Sequence, residues 1–242
     1  MSKDTNILIH PDIFGGRVRA FFTGIAPGAD RKAVCKLLGI DDDALFMPVQ
    51  KHTARVLVYT GKELPSEADA VITGLSGVAL GVKVADCVPI LLYDEKSGAI
   101  GAVHAGWRGT AEAILPAAIR KMAEAYGSRP ADIKAAIGPS IKGCCYEVGI
   151  DVLAQIKACF KGNGHDKTGP FIGTEQQKGK AYLDLGKANE MQALHAGVRA
   201  ENIWISGTCT CCNPERFNSY RRETRHGLAA GGRQGGFIMK VP

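Results

Sequence analysis

The feature that most restricts how this chain can fold is a pair of apolar runs, VPILLYD at 88–94 and the run ending at His104, separated by the turn cluster DEKSG at 94–98. Rich in β-branched and apolar residues and bounded by turn formers, the pair reads as an antiparallel hairpin over 88–105. Closing that hairpin brings its open ends together, so Cys87 and His104 fall at the same end of adjacent strands despite their distance in sequence. Asp86 stands directly before the cysteine and the glycine-rich AGWRG follows the histidine, where backbone can approach a ligand closely.

Further strands are expected at RVRAFFTG (17–24), ARVLVY (54–59), DAVITG (69–74), VALGVKVAD (78–86), DIKAAIGPSI (132–141) and ENIWISG (201–207). Apolar residues at helical spacing in TAEAILPAAIRKMAEAYG (110–127) predict one helix with Gly127 as its C-cap, kinked at Pro116 unless the helix proper starts there. Two more helices are expected at 149–160 and 184–197, the second stopped by Gly197. This alternation indicates an α/β or α+β fold with mixed sheets, and no repeat, linker or low-complexity tract divides residues 1–242, so a single domain is expected.

With 45% hydrophobic residues the chain can bury a sizeable core. Its net charge of +6 comes from interleaved signs, a mild bias toward anionic ligands and not a nucleic-acid signature. The densest basic stretch, RRETRHG at 221–227, reads as a solvated turn or, functionally, as a grip for phosphate or carboxylate. The N-terminal apolar run, Ile7 to Ile9, is too short for a signal peptide, and Lys83 and Asp86 interrupt the longest apolar region. A soluble, cytoplasmic protein without a membrane partner is therefore expected; no oligomeric state is read. Eight cysteines in a chain of this length and compartment point to reduced thiols, with Cys35 and Cys159 as small core residues.

Three places can carry chemistry: VQKHTARV with His52, the Cys87/His104 pair, and the run CTCCNPERFNSYRRE from Cys209. Cysteine and histidine held close could be packing residues, a nucleophile with its base, or metal ligands. With His52 added, the set suits zinc with a fourth position left for water or substrate. Read as lacking a C-x2-C knuckle, CTCC is expected to hold buried thiols or an adventitious disulfide; the alternative is a structural zinc closed together with Cys144 and Cys145. Arg221 and Arg222 offer planar guanidinium groups to a phosphate or carboxylate.

The segments ADCVPILLYD, GAVHAGWRGT, AAIGPSIKGCCYEVG, YLDL, CTCCNPERFNSYRRE and the glycine-arginine pair at 232–233 together resemble the laccase-domain family, also described as multicopper polyphenol oxidoreductases or peptidoglycan editing factors. The resemblance runs in order from about Arg17 to the C-terminus. It implies zinc on His52, Cys87 and His104, with Cys87 and His104 also catalytic. It further implies two packed mixed β-sheets flanked by helices, a four-layer α/β/β/α sandwich. The activity implied is zinc-dependent phosphorolysis of purine nucleosides (adenosine, inosine, guanosine, methylthioadenosine), with adenosine deamination as a second reaction.

Purine nucleosides and phosphate are then the expected partners, and Arg31, Arg108 and Arg221 the candidate substrate-binding cations. Copper would compete with zinc for two imidazoles and a thiolate in vitro. One departure stands out: after FFT the chain runs GIAPGADRKAV, a shortened loop in which Asp30 replaces the family's asparagine before Arg31. The alternatives are an amide hydrolase acting on cell-wall precursors, a polyphenol oxidase, and a catalytically silent zinc-binding module. A laccase needs a histidine-rich copper cluster, whereas this chain has six histidines (10, 52, 104, 165, 195, 226) and no H-x-H pair.

Overall fold

The computed structural model describes residues 7–160 and 179–241. Among them, one mixed sheet runs in spatial order β1 (Leu8–Ile9), β2 (Val18–Thr23), β13 (Gln234–Lys240), β6 (Ala79–Val84) and β3 (Leu45–Phe46). A second runs β12 (Ile203–Ile205), β9 (Ile133–Ile137), β7 (Val88–Asp94), β8 (Ile100–Ala105), β5 (Ala70–Thr73) and β4 (Val56–Val58). β10 (Glu147–Gly149) and β11 (Lys180–Tyr182) form a small separate ladder. The helices are α1 (Arg31–Leu38), α2 (Trp107–Ala111), α3 (Ile114–Tyr126), α4 (Ile150–Ala158), α5 (Leu185–His195) and α6 (Tyr220–Arg225).

The hairpin expected over 88–105 is present as β7 and β8, with Val88 opposite Ala105 and Tyr93 opposite Ile100. Asp94 shapes its turn: its carboxylate accepts the Lys96 N–H at 2.9 Å, and Gly98 supplies the positive φ of +72° that closes it. Both faces of β7 are buried, which is why its sequence reads as a continuous apolar run. Val88, Ile90 and Leu92 pack on the helices α3, α4 and α5, whereas Leu91 and Tyr93 pack on Phe22, Leu80 and Ile238 of the other sheet. On that sheet's far side, Phe21, Phe237 and Met239 bury Val34, Cys35 and Leu38 of α1. The side-chain alternation therefore produces the four layers: α1, sheet, sheet, α2–α5.

Two expectations change. The helix over 110–127 is two helices: α2 begins earlier, at Trp107, and the chain breaks at Ala113, whose φ is +57°. α3 restarts at Ile114, so Pro116 sits in a first turn, where a missing N–H leaves no ladder bond unmade. The basic stretch 221–227 is not a plain turn, because Ser219 caps α6 by accepting the Arg222 N–H at 3.2 Å. Asp30, the departure at the shortened loop, caps α1 through the Ala33 N–H at 2.9 Å. Among the described residues no helix is long and apolar enough to cross a membrane.

The sheet-to-sheet interface is the least forgiving part of this arrangement. Leu91→Ala, which removes a fully buried side chain between the two sheets, is expected to cost about 2–5 kcal/mol in urea denaturation. A loss well under 1 kcal/mol would mean that the layers do not meet there.

Candidate metal centre and pocket

Both histidines of the site are tied to one carboxylate. Asp69, fully buried just before β5, has Oδ1 accepting the His104 Nδ1–H at 2.7 Å and the His52 N–H at 3.0 Å. Its Oδ2 accepts the amides of Lys51 at 3.1 Å and Thr53 at 2.7 Å, and the Thr53 hydroxyl at 2.9 Å. Burial works to raise its pKa, but the bonds from His104, Thr53 and Lys51 prevail and hold it well below the ordinary carboxylate range. An ionised carboxylate only accepts, so His104 donates through Nδ1 and turns Nε2 toward the pocket. The same carboxylate fixes the loop at 51–53, in which His52 takes a φ of +60°.

A second buried carboxylate sets the cysteine. Asp86, at φ +84°, accepts the hydroxyls of Thr210 at 2.6 Å and Ser219 at 2.9 Å and the Arg221 amide at 2.7 Å. These bonds bind the chain entering β7 to the start of α6 and to the loop at 207–213. Cys87 follows, next to His104, which pairs with Pro89 across the ladder.

The ligand atoms of His52, Cys87 and His104 lie within 4.8 Å of one another, with Cys87 Sγ 3.8 Å from His52 Nε2. Gly106 leaves the space they face: a Cβ there would stand 2.9 Å from His52 Cδ2 and 3.2 Å from the Cys87 sulfur. Burial opposes charge at both Cys87 and His104, yet mutual attraction wins. The Cys87 thiol falls to about 6, and the His104 imidazole, between that thiolate and Asp69, rises to about 9. Without metal the pair is thus a thiolate and an imidazolium at neutral pH. Two imidazoles and a thiolate, one imidazole braced by a carboxylate, are a donor set that fits zinc or another borderline-soft divalent ion.

His52, Cys87 and His104 open into a cavity of about 1000 Å³. Arg31, Arg108 and Arg221 all line it, joined by Lys83 and Arg233, so sequence reasoning placed three of its five cations. They are not equivalent. Arg31 spends Nη1 on the carbonyls of Asp42 and Leu45, at 2.5 and 2.6 Å, which braces the neighbouring loop. Arg108 lies over the Trp107 ring, 4.4 Å from its centroid. Arg221 lies 5.0 Å from the centre of Tyr146 and donates to the Glu147 carbonyl at 2.7 Å. Arg222 is turned away onto the carbonyls of Thr210, Cys211 and Phe217.

Outside the site, His10 donates to the Ala20 carbonyl, His195 belongs to α5 and His226 ends α6; His165 lies outside the described residues. Sequence reasoning missed Asp69 and saw Asp86 only as a neighbour. The signal for Asp69 was an acid at the mouth of an all-apolar strand, which has to be buried with partners.

Two outcomes follow from this geometry. Zinc binding at this site between pH 6 and 9 is expected to release the His104 proton, and below pH 6 the Cys87 proton as well. Calorimetry in buffers of different ionisation enthalpy counts them, and no proton released at neutral pH would contradict the ion pair. Gly106→Ala is expected to weaken zinc binding at least tenfold, because its methyl displaces the His52 ring; unchanged affinity would mean that His52 is not a ligand.

Residues 28–240 match the family model described as multi-copper polyphenol oxidoreductase laccase. Over 202 residues the chain is 37% identical to adenosine deaminase RL5 from an unknown prokaryotic organism, covering 79% of this chain and 75% of that protein. It is also 37% identical over 190 residues to a purine nucleoside phosphorylase of Bacteroides thetaiotaomicron, covering 74% and 68%. The crystal structure of YlmD from Geobacillus stearothermophilus superimposes with a TM-score of 0.85 at 27% identity, over 96% of this chain and 94% of that one. From the order of its motifs to the arrangement of its sheets, the chain belongs to the laccase-domain family of multi-copper polyphenol oxidoreductases.

Proposed function

We propose that this protein is a zinc-dependent purine nucleoside phosphorylase that also deaminates adenosine. The observation that carries this reading is one pocket whose floor is the His52/Cys87/His104 group and whose walls carry five cations. The carboxylate lining that pocket, Asp86, is already engaged by three donors. An anion entering it meets uncompensated positive charge. The relatives' names, phosphorylase and deaminase, supply the two reactions.

Phosphorolysis requires a phosphate oxygen to attack C1′ of the ribose while the bond to the purine nitrogen breaks. Arg108 and Arg221 are suited to hold the phosphate, each guanidinium being kept in place by an aromatic ring. Trp107, Tyr146 and Tyr220 give the purine an aromatic lining. Arg31 supports the pocket through the loop it braces. Zinc held by His52, Cys87 and His104 would supply Lewis acidity and the water activation that attack at C6 of adenine needs. Asp69 keeps His104 aimed at the ion and balances its charge. Three protein ligands leave a coordination position open, which favours a catalytic over a silent zinc. Eight free thiols suit a cytoplasmic location.

A laccase would need a histidine-rich copper cluster, and the groups of potential ligands that come together among the described residues hold two histidines in all. The amide-hydrolase reading rests on one observation, the lowered Cys87 thiol, which is nucleophilic at neutral pH. Cys87→Ser that keeps zinc but loses every activity would favour it.

Zinc-loaded protein given inosine is expected to yield hypoxanthine and ribose 1-phosphate only when phosphate is present, and folded His104→Ala is expected to yield neither. Base release independent of phosphate, or unaffected by His104→Ala, would overturn the assignment. Arg108→Gln is expected to raise the phosphate KM by about tenfold or more, the worth of a hydrogen bond to a charged group.

A further inference from the structure

None of the cysteines of the run CTCC lines the pocket, yet the fold gathers them with a second cysteine pair. We propose that Cys144, Cys145, Cys209 and Cys212 form a second metal site, a closed four-thiolate cage for structural zinc outside the pocket. The four sulfurs lie within 4.8 Å of one another. The Cys144–Cys145, Cys144–Cys212 and Cys145–Cys212 sulfurs are 3.8, 3.6 and 3.2 Å apart. Tetrahedral zinc with bonds of about 2.3 Å sets its sulfurs roughly 3.8 Å apart, whereas a disulfide requires about 2.05 Å. The spacing matches a cage, not a bond.

The expectation of buried thiols is corrected here: Cys144 and Cys212 are exposed and Cys145 half-buried, with Cys209 alone buried. Cys209 and Cys212 do stand at C-x2-C spacing, which the additional cysteine at 211 obscures. No hydrophobic gain draws exposed sulfurs together, so their convergence points to a ligand.

The two loops that present them are held independently of any metal. Cys209 bridges to Ser140, and the Thr210 amide donates to the Ser140 carbonyl at 3.1 Å. Cys145 and Tyr146 both donate to the Lys142 carbonyl, while Arg222 holds the carbonyls of Thr210 and Cys211. Thr210, between two of the ligands, gives its hydroxyl to Asp86 beside Cys87, and Tyr146 follows Cys145 into the pocket wall. The cage would thereby stiffen the loop that positions the reactive cysteine.

The test is metal content of reduced, anaerobically purified protein. Two zinc ions per chain are expected in the native protein and one in His52→Ala/His104→Ala. That remaining ion should be lost on adding Cys144→Ser and Cys212→Ser. Cadmium titrated into His52→Ala/His104→Ala should give ultraviolet thiolate-to-metal absorption that saturates at one ion per chain. This readout decides the matter even if the serine variants fail to fold. The proposal is overturned if the folded, reduced double alanine variant binds neither zinc nor cadmium, if its ion survives both serine substitutions, or if peptide mapping finds a Cys145–Cys212 disulfide in the anaerobic protein.

Discussion

Asp69 is the residue on which the site depends. It is a fully buried carboxylate with five donors, three of them backbone amides of one short loop and one the imidazole of His104. Burying an ionised carboxylate is unfavourable unless its oxygens are fully engaged. Here the engagement is what joins the pieces. His52 itself lies outside any strand, and its left-handed conformation is tolerated because the carboxylate organises the amides on both sides. One group therefore sets the position of one histidine and the tautomer of the other.

Asp86 repeats the device at the opposite wall. It ties the entrance to β7 to Thr210, Ser219 and the Arg221 amide, residues far away in sequence. Between them the two carboxylates fix the His104 ring and the backbone around His52 and Cys87. Arg31, Lys83, Arg108, Arg221 and Arg233 line the same pocket. Acids held by internal donors beside a group of cations suit a site that takes up an anion.

The hairpin was legible because two apolar runs joined by a turn cluster from Asp94 to Gly98 are purely local information, and the meeting of Cys87 with His104 followed from it. His52 was legible only through the family motif, since no local pattern connects residue 52 to the hairpin; Asp69 makes that connection in space. The break at Ala113 was hidden because alanine is a strong helix former and nothing local demands a positive φ. Its partners explain it: Asn189 and Gln192 of α5 donate to the hydroxyl and the carbonyl of Thr110, at 3.0 and 2.7 Å, fixing where α2 ends. The four-sulfur cluster was legible only as an alternative, because its two halves come from loops that meet where Ser140 bridges Cys209, beyond the β9–β12 pair.

Zinc titration of Asp69→Asn beside the native protein measures whether Asp69 builds the site of His52, Cys87 and His104. Asparagine keeps the size of the side chain but loses the charge and one of the two acceptor oxygens. A folded variant is expected whose zinc affinity at that site is weakened by about 10–100-fold. A variant that folds and binds zinc there as tightly as the native protein would show that Asp69 does not build it.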